Sequence, residues 1–254
     1  MKRIYILPNL VTTANFLCGI IALMCIYNGN LKQAAMLVFL AMVFDFFDGS
    51  IARIQGSYSN FGMEYDSLAD LVSFGIAPVF TVYAMALSKM GRTGMGISFL
   101  YCTCAALRLA RFNTQVSSSL SEKKSFRGLP TPAAAGLIAM MFITVEKYRI
   151  PHDSWMVSFT FPPVLILLSY LMVSNIRYPT LYDFSVFRQK NFLYLVLIVI
   201  CIGVVLLNIE VFLLFLFIFY ALAGPLSNMK SMRKWFYDVK DKDLHSGKER
   251  VKND

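Results

Sequence analysis

The chain is 254 residues long, 57% hydrophobic and only 15% charged, with a formal net charge of +9. So apolar a composition excludes a water-soluble domain with a polar surface and describes a polytopic membrane protein. The surplus of Lys and Arg then reads as membrane topology plus attraction to anionic lipid, and no nucleic-acid partner is expected.

Windows of about 19 residues mark eight apolar stretches near the roughly 20 residues that a helical crossing requires. They lie at about 9–27, 31–53, 65–88, 94–112, 131–148, 155–174, 191–208 and 211–228. The first has no small-residue cleavage site after a short core, so it reads as a retained helix and not a signal peptide. Arg108 and Arg111 close the fourth, and Asn113 to Ser118 reads as polar loop. Pro130 and Pro132 open the fifth, where a proline in the first turn removes no donor that the helix needs. Asn208-Ile209-Glu210 splits an apolar run too long for one crossing, and the mixed charges after Met229 read as a solvated tail. Cys18, Cys25, Cys102, Cys104 and Cys201 fall in apolar spans with no C-x-x-C pair, which points to buried thiols. The expected fold is an all-α polytopic bundle of about eight transmembrane helices.

Lysine and arginine set the orientation. With the N-terminus inside, 19 of them fall on inner segments and 5 on outer ones (Lys32, Lys89, Arg92, Lys147, Arg149). By the positive-inside rule both termini are cytoplasmic.

Asp45, Asp48, Asp66 and Asp70 stand at the cytoplasmic junction of the second and third spans. An ionised Asp at the centre of a membrane helix costs roughly 2.5–3.5 kcal/mol on insertion scales, so four of them imply a shared cation or a wet cavity. On ideal helices Asp45 and Asp48 share a sector with Gly49 and Ala52, and Asp66 and Asp70 share one with Ala69 and Ser73. Ion pairs that lock helices together would account for one acid with one arginine; four acids beside Arg53 leave a negative surplus. Hard carboxylate oxygens in that number suit one or two Mg²⁺ or Mn²⁺ ions that keep positions for phosphate oxygens. Gly49, Ala52 and Gly62 would admit a ligand close to the backbone, and Arg53 can fork onto phosphate.

The string Asp45-x-x-Asp48-Gly49-x-x-Ala52-Arg53, eight residues, Gly62-x-x-x-Asp66-x-x-x-Asp70 resembles the complete signature of the CDP-alcohol phosphatidyltransferase family. That resemblance implies a six-helix catalytic core (1–174 here), which leaves the last two apolar stretches as additional membrane helices (175–229) and the charged end as a cytoplasmic tail (230–254). It also implies a divalent-metal site at the cytoplasmic face of the cell (inner) membrane, and a homodimer. The reaction implied is attack of an alcohol on the phosphatidyl phosphorus of a CDP-lipid, with CMP as leaving group. Carried over by position, Asp45, Asp48, Asp66 and Asp70 would ligate metal, and Asp70 would also be the general base. Gly49, Ala52, Arg53 and Gly62 would line the nucleotide and diphosphate. No histidine competes as base, since His152 falls on an outer loop and His245 in the tail.

Leu7 to Phe16, Arg111-Phe112-Asn113 and Phe126 to Ala135 resemble the phosphatidylserine synthase branch, which implies CDP-diacylglycerol and L-serine as substrates. A serine carboxylate asks for a fixed cation, for which the inner loop offers Arg111 and Arg127, with Asn113 as neutral partner. The same site acting on glycerol 3-phosphate or an inositol compound is one alternative. A divalent-cation transporter is another, against which the third span runs apolar from Pro78 to Leu87 with no polar path to the outer face.

Overall fold

A computed structural model describes residues 6–55, 60–118, 128–176, 178 and 208–226, with side chains for 9–50, 61–115, 128–176, 178 and 208–226. Among these residues the fold is helical with no strand. The helices are α1 (Ile6–Tyr27), α2 (Leu31–Gln55), α3 (Asn60–Asp70), α4 (Ala77–Met85), α5 (Arg92–Ser118), α6 (Thr131–Lys147), α7 (Trp155–Val173) and α8 (Asn208–Leu226). A π-helical turn, Leu71–Ile76, joins α3 to α4 so that Phe61–Met85 forms one crossing.

Among the described residues, five segments are long and apolar enough to cross a membrane: Asn9–Tyr27, Phe61–Met85, Arg92–Gln115, Trp155–Val173 and Asn208–Leu226. The 25-residue α2 and the 17-residue α6 pack against each other, with α1 along α2 and α7 along α5. The protein is a polytopic helical bundle. Its core is filled by small residues where helices meet, among them Ala22, Ala34, Ala35, Ala41, Ala134 and Ala135, and by Phe74, Tyr101, Phe142 and Phe161 between them. Small residues let apolar helices approach closely, which is how a bundle packs when lipid is as apolar as its own side chains.

Two expected boundaries change. Asn113 to Ser118 is helix, since α5 runs on through Ser118. Contacts with α3 override the weak helix propensity of Asn113: it accepts from Ser67 Oγ at 3.1 Å and donates to Glu64 Oε2 at 3.1 Å. Asn208, Ile209 and Glu210 also open α8 instead of turning before it. Lys147 Nζ donates to Asn208 Oδ1 and Glu210 Oε2, each at 2.7 Å, and so ties the first turn of α8 to the last of α6. The expected span at 191–208 lies, but for Asn208, outside the described residues, as do His245 and Cys201. Cys18, Cys25, Cys102 and Cys104 are free thiols. His152 lies between α6 and α7, half-buried, 2.7 Å from Glu146 and over the Phe142 ring.

The π-turn follows from Pro78. Proline has no N–H for the carbonyl four residues back, and its ring crowds that carbonyl. Opening the helix by one residue relieves the clash, and the Ala77 N–H bonds Val72 O in the wider register. The Phe74 carbonyl receives the Tyr101 hydroxyl at 3.2 Å, so α5 pins the turn. Asp70 stands at its first end.

Candidate active site

The site is built where α1, the second half of α2, α3 and α5 converge. Asp45 and Asp48, three residues apart, project from one sector of α2. Asp66, one turn before Asp70 on α3, comes from the other side. Carboxylate oxygens of Asp45, Asp48 and Asp66 lie within 4.8 Å of one another. Asp48 is 7% exposed, and Asp45 and Asp66 are half-buried. Three like charges at this separation repel strongly away from bulk water unless a cation stands among them.

Asp70 is also 7% exposed and lies outside that three-way contact, although near enough to feel the charges of Asp45 and Asp66. Asn15 Nδ2 donates to Asp70 Oδ1 at 3.0 Å, and the Asn15 carbonyl accepts the Ser73 hydroxyl at 2.9 Å. One residue of α1 therefore holds both the carboxyl and the π-turn behind it. A turn further along α1, Gly19 lets the helices touch: a Cβ there would stand 2.5 Å from Ser73 Oγ. Thr12, one turn before Asn15, donates to Asp48 Oδ2 at 2.5 Å. Thr13 Oγ1 and the Tyr65 hydroxyl are 3.0 Å apart and tie α1 to α3 on the outer side.

Among the described residues, Arg108 on α5 brings a cation within electrostatic reach of Asp70 and Asp45. Its Nη1 donates to Thr131 Oγ1 at 2.5 Å at the start of α6, and its Nε is buried without a hydrogen-bond partner. Arg111 points elsewhere, donating to Val173 O at 3.2 Å and to Asn175 Oδ1, and so caps the end of α7. Asn113 joins α5 to α3 through Ser67 and Glu64. Gly49 and Gly62 are partly exposed beside the acids. Ala52 and Arg53 belong to α2 by backbone, while their side chains and the whole of Arg127 fall outside the described residues.

Thr12, Asn15 and Arg108 are the residues that reading the sequence passed over as site residues. A signal existed for the first two: polar residues three apart on a largely apolar helix. Arg108 was indistinguishable from a topological anchor, because only the tertiary fold turns it inward.

The profile of the CDP-alcohol phosphatidyltransferase family matches residues 5–171, a span that contains all four aspartates, Thr12, Asn15 and Arg108. The chain belongs to that family. Curated relatives agree. The chain is 37% identical over 179 residues to the CDP-diacylglycerol–serine O-phosphatidyltransferase of Helicobacter pylori, covering 70% of this chain and 74% of that one. It is 35% identical over 178 residues to the Bacillus subtilis protein of the same name, covering 68% and 89%. It is 34% identical over 175 residues to the archaetidylserine synthase of Methanothermobacter thermautotrophicus, covering 68% and 69%.

A CDP-alcohol phosphatidyltransferase is a metal-dependent enzyme, and this site fits a metal. The donor set is wholly carboxylate, which suits a hard divalent cation. Asp66 Oδ1 is buried with no hydrogen-bond partner, an orphaned acceptor inside the triad. Such an atom costs about 1–3 kcal/mol unless something binds it.

Proposed function

We propose that this CDP-alcohol phosphatidyltransferase transfers the phosphatidyl group of CDP-diacylglycerol to the hydroxyl of L-serine, giving phosphatidylserine and CMP. The observation that carries this reading is the close triad of Asp45, Asp48 and Asp66 beside a separately held Asp70, in a chain whose relatives bear serine-transferase names.

Asp45, Asp48 and Asp66 would hold one or two Mg²⁺ or Mn²⁺ ions, with Asp70 as a shared ligand. When bound, such ions neutralise charge on the diphosphate and on the departing CMP. Gly49, Ala52, Arg53 and Gly62 line the nucleotide and diphosphate, the small residues by admitting them to the backbone and Arg53 by its guanidinium fork. Asn15 fixes one oxygen of Asp70. The other oxygen takes the proton of the serine hydroxyl as that oxygen bonds to phosphorus and the bond from phosphorus to the CMP oxygen breaks. For serine the sequence offers Arg111, Asn113 and Arg127, of which Arg111 is engaged with the end of α7 and Asn113 with α3. The 19-to-5 lysine and arginine asymmetry supports a site and both termini on the cytoplasmic side of the cell membrane, and family resemblance supports a homodimer.

The test is CMP release by purified protein in detergent with CDP-diacylglycerol and Mg²⁺ or Mn²⁺, with L-serine, glycerol 3-phosphate and myo-inositol offered separately. Release with serine alone, abolished by EDTA, is the expected result. Release only with another alcohol would keep the site and overturn serine as acceptor.

A further inference from the structure

Helix α8 lies beyond the residues that the family profile matches, and it runs along α6. It starts at the end of the bundle away from the aspartates, where Lys147 holds Asn208 and Glu210, and runs antiparallel to α6. Midway, the Phe217 ring fills the space over Gly136, where a Cβ would come within 2.5 Å of it. Phe217 also packs on Phe39 of α2, with ring centroids 6.2 Å apart. Three residues on, about 4.5 Å further along the axis in the direction of the start of α6, stands Tyr220; Thr131 there accepts from Arg108. The Tyr220 phenol lies within electrostatic reach of the Arg108 guanidinium. Its position is held from behind by Tyr178, whose ring lies 5.8 Å from that of Tyr220 and whose hydroxyl donates to Ala221 O at 3.1 Å.

Arg108 is more than a counter-ion to Asp70. A guanidinium carries five N–H donors in a fixed plane. One of these goes to Thr131, while the buried Nε–H has no partner. A buried charged donor without an acceptor is costly, which makes it a docking point for an anion. The diphosphate belongs on the triad side with the metal. The group that must lie beside Asp70 is the acceptor, and the anionic part of an amino-acid acceptor is its carboxylate.

We propose that Arg108 and Tyr220 together receive the carboxylate of the amino-acid acceptor, so that a helix outside the family-matched core determines acceptor choice. The inference rests on the synthase reading above. The full-length enzyme in detergent is assayed for CMP release with L-serine and with L-serine methyl ester, which lacks the negative charge. Tyr220→Phe keeps the ring against Tyr178 and removes only the hydroxyl donor. It is expected to raise the KM for serine at least about tenfold, leave that for CDP-diacylglycerol unchanged, and lower the preference for serine over its ester by a similar factor. Arg108→Lys keeps the charge and loses the fork; it is expected to raise the serine KM as well and to make a further Tyr220→Phe substitution nearly silent. A rise in the CDP-diacylglycerol KM instead would assign the pair to phosphate and overturn the proposal. Wild-type enzyme with serine-dependent release and an unaffected Tyr220→Phe would overturn the carboxylate clamp alone. No serine-dependent release by the wild type would overturn the synthase reading and the clamp with it.

Discussion

Asn15 on α1 donates its side-chain amide to Asp70 at 3.0 Å, while its own carbonyl accepts from Ser73 three residues beyond that carboxyl. An asparagine in this position orients a carboxylate without adding charge, and it leaves the second oxygen free to work. Asn15→Leu removes the donor at similar volume. Loss of a residue that orients a working carboxylate typically costs 10- to 100-fold in activity, and about that loss is expected in kcat. The thermal midpoint, followed in detergent, should move by only a few degrees. A variant with wild-type kcat would show that Asp70 needs no orienting partner.

The four aspartates should not respond alike. Asp70 sits outside the three-carboxylate contact and Asp45 inside it. Asp70→Asn removes the proton acceptor while leaving the triad, so turnover should vanish and CDP-diacylglycerol binding should largely survive. Asp45→Asn takes a ligand from the triad and should weaken both Mn²⁺ and donor binding. Isothermal titration of each variant with Mn²⁺ and donor separates the cases. Equal donor affinity in both would contradict this division of labour.

Much of this arrangement was legible from the residues. The spacing of Asp45, Asp48, Asp66 and Asp70 announced two carboxylate-bearing helix faces, because helical periodicity is a local property of the chain. Most span boundaries emerged within a few residues for the same reason. What could not be read were facts set by neighbours distant in sequence. Asn113 to Ser118 is polar and reads as loop, yet α3 supplies partners that keep it helical. Arg108 and Arg111 look equivalent three residues apart, and only packing sends one to the acids and the other to the end of α7. The π-turn was implicit in Pro78, but its position depends on Tyr101 finding the freed carbonyl.

Thr12 tunes the triad from α1. Its hydroxyl donates to Asp48 Oδ2 and so restrains the rotamer of a carboxylate that belongs to the triad. Thr12→Val keeps the shape and removes the donor, and so should weaken Mn²⁺ binding about 10-fold or more, read as a shift in the metal concentration for half-maximal CMP release. Thr12→Ser retains the donor and should restore most of the affinity. If the two substitutions were indistinguishable, the hydroxyl would have no part in holding the metal.

Gly19 is the point where α1 can lie against the π-turn. The Cβ of an alanine there would stand 2.5 Å from Ser73 Oγ and 3.1 Å from the Ser73 Cα and N, and backbone atoms inside a packed bundle cannot step aside. Gly19→Ala should therefore push α1 away and destabilise the fold by about 1–3 kcal/mol. Because Asn15 rides on the same helix, the displacement should also loosen its bond to Asp70. Activity should then fall further than the loss of folded protein explains. Adding Ser73→Ala removes the nearest atom and should recover part of the stability, but not the activity, since the hydroxyl that held the Asn15 carbonyl is gone. Thermal unfolding and CMP release measured on the single and double variants decide this, and recovery of both properties together would mean that the contact is steric and nothing more.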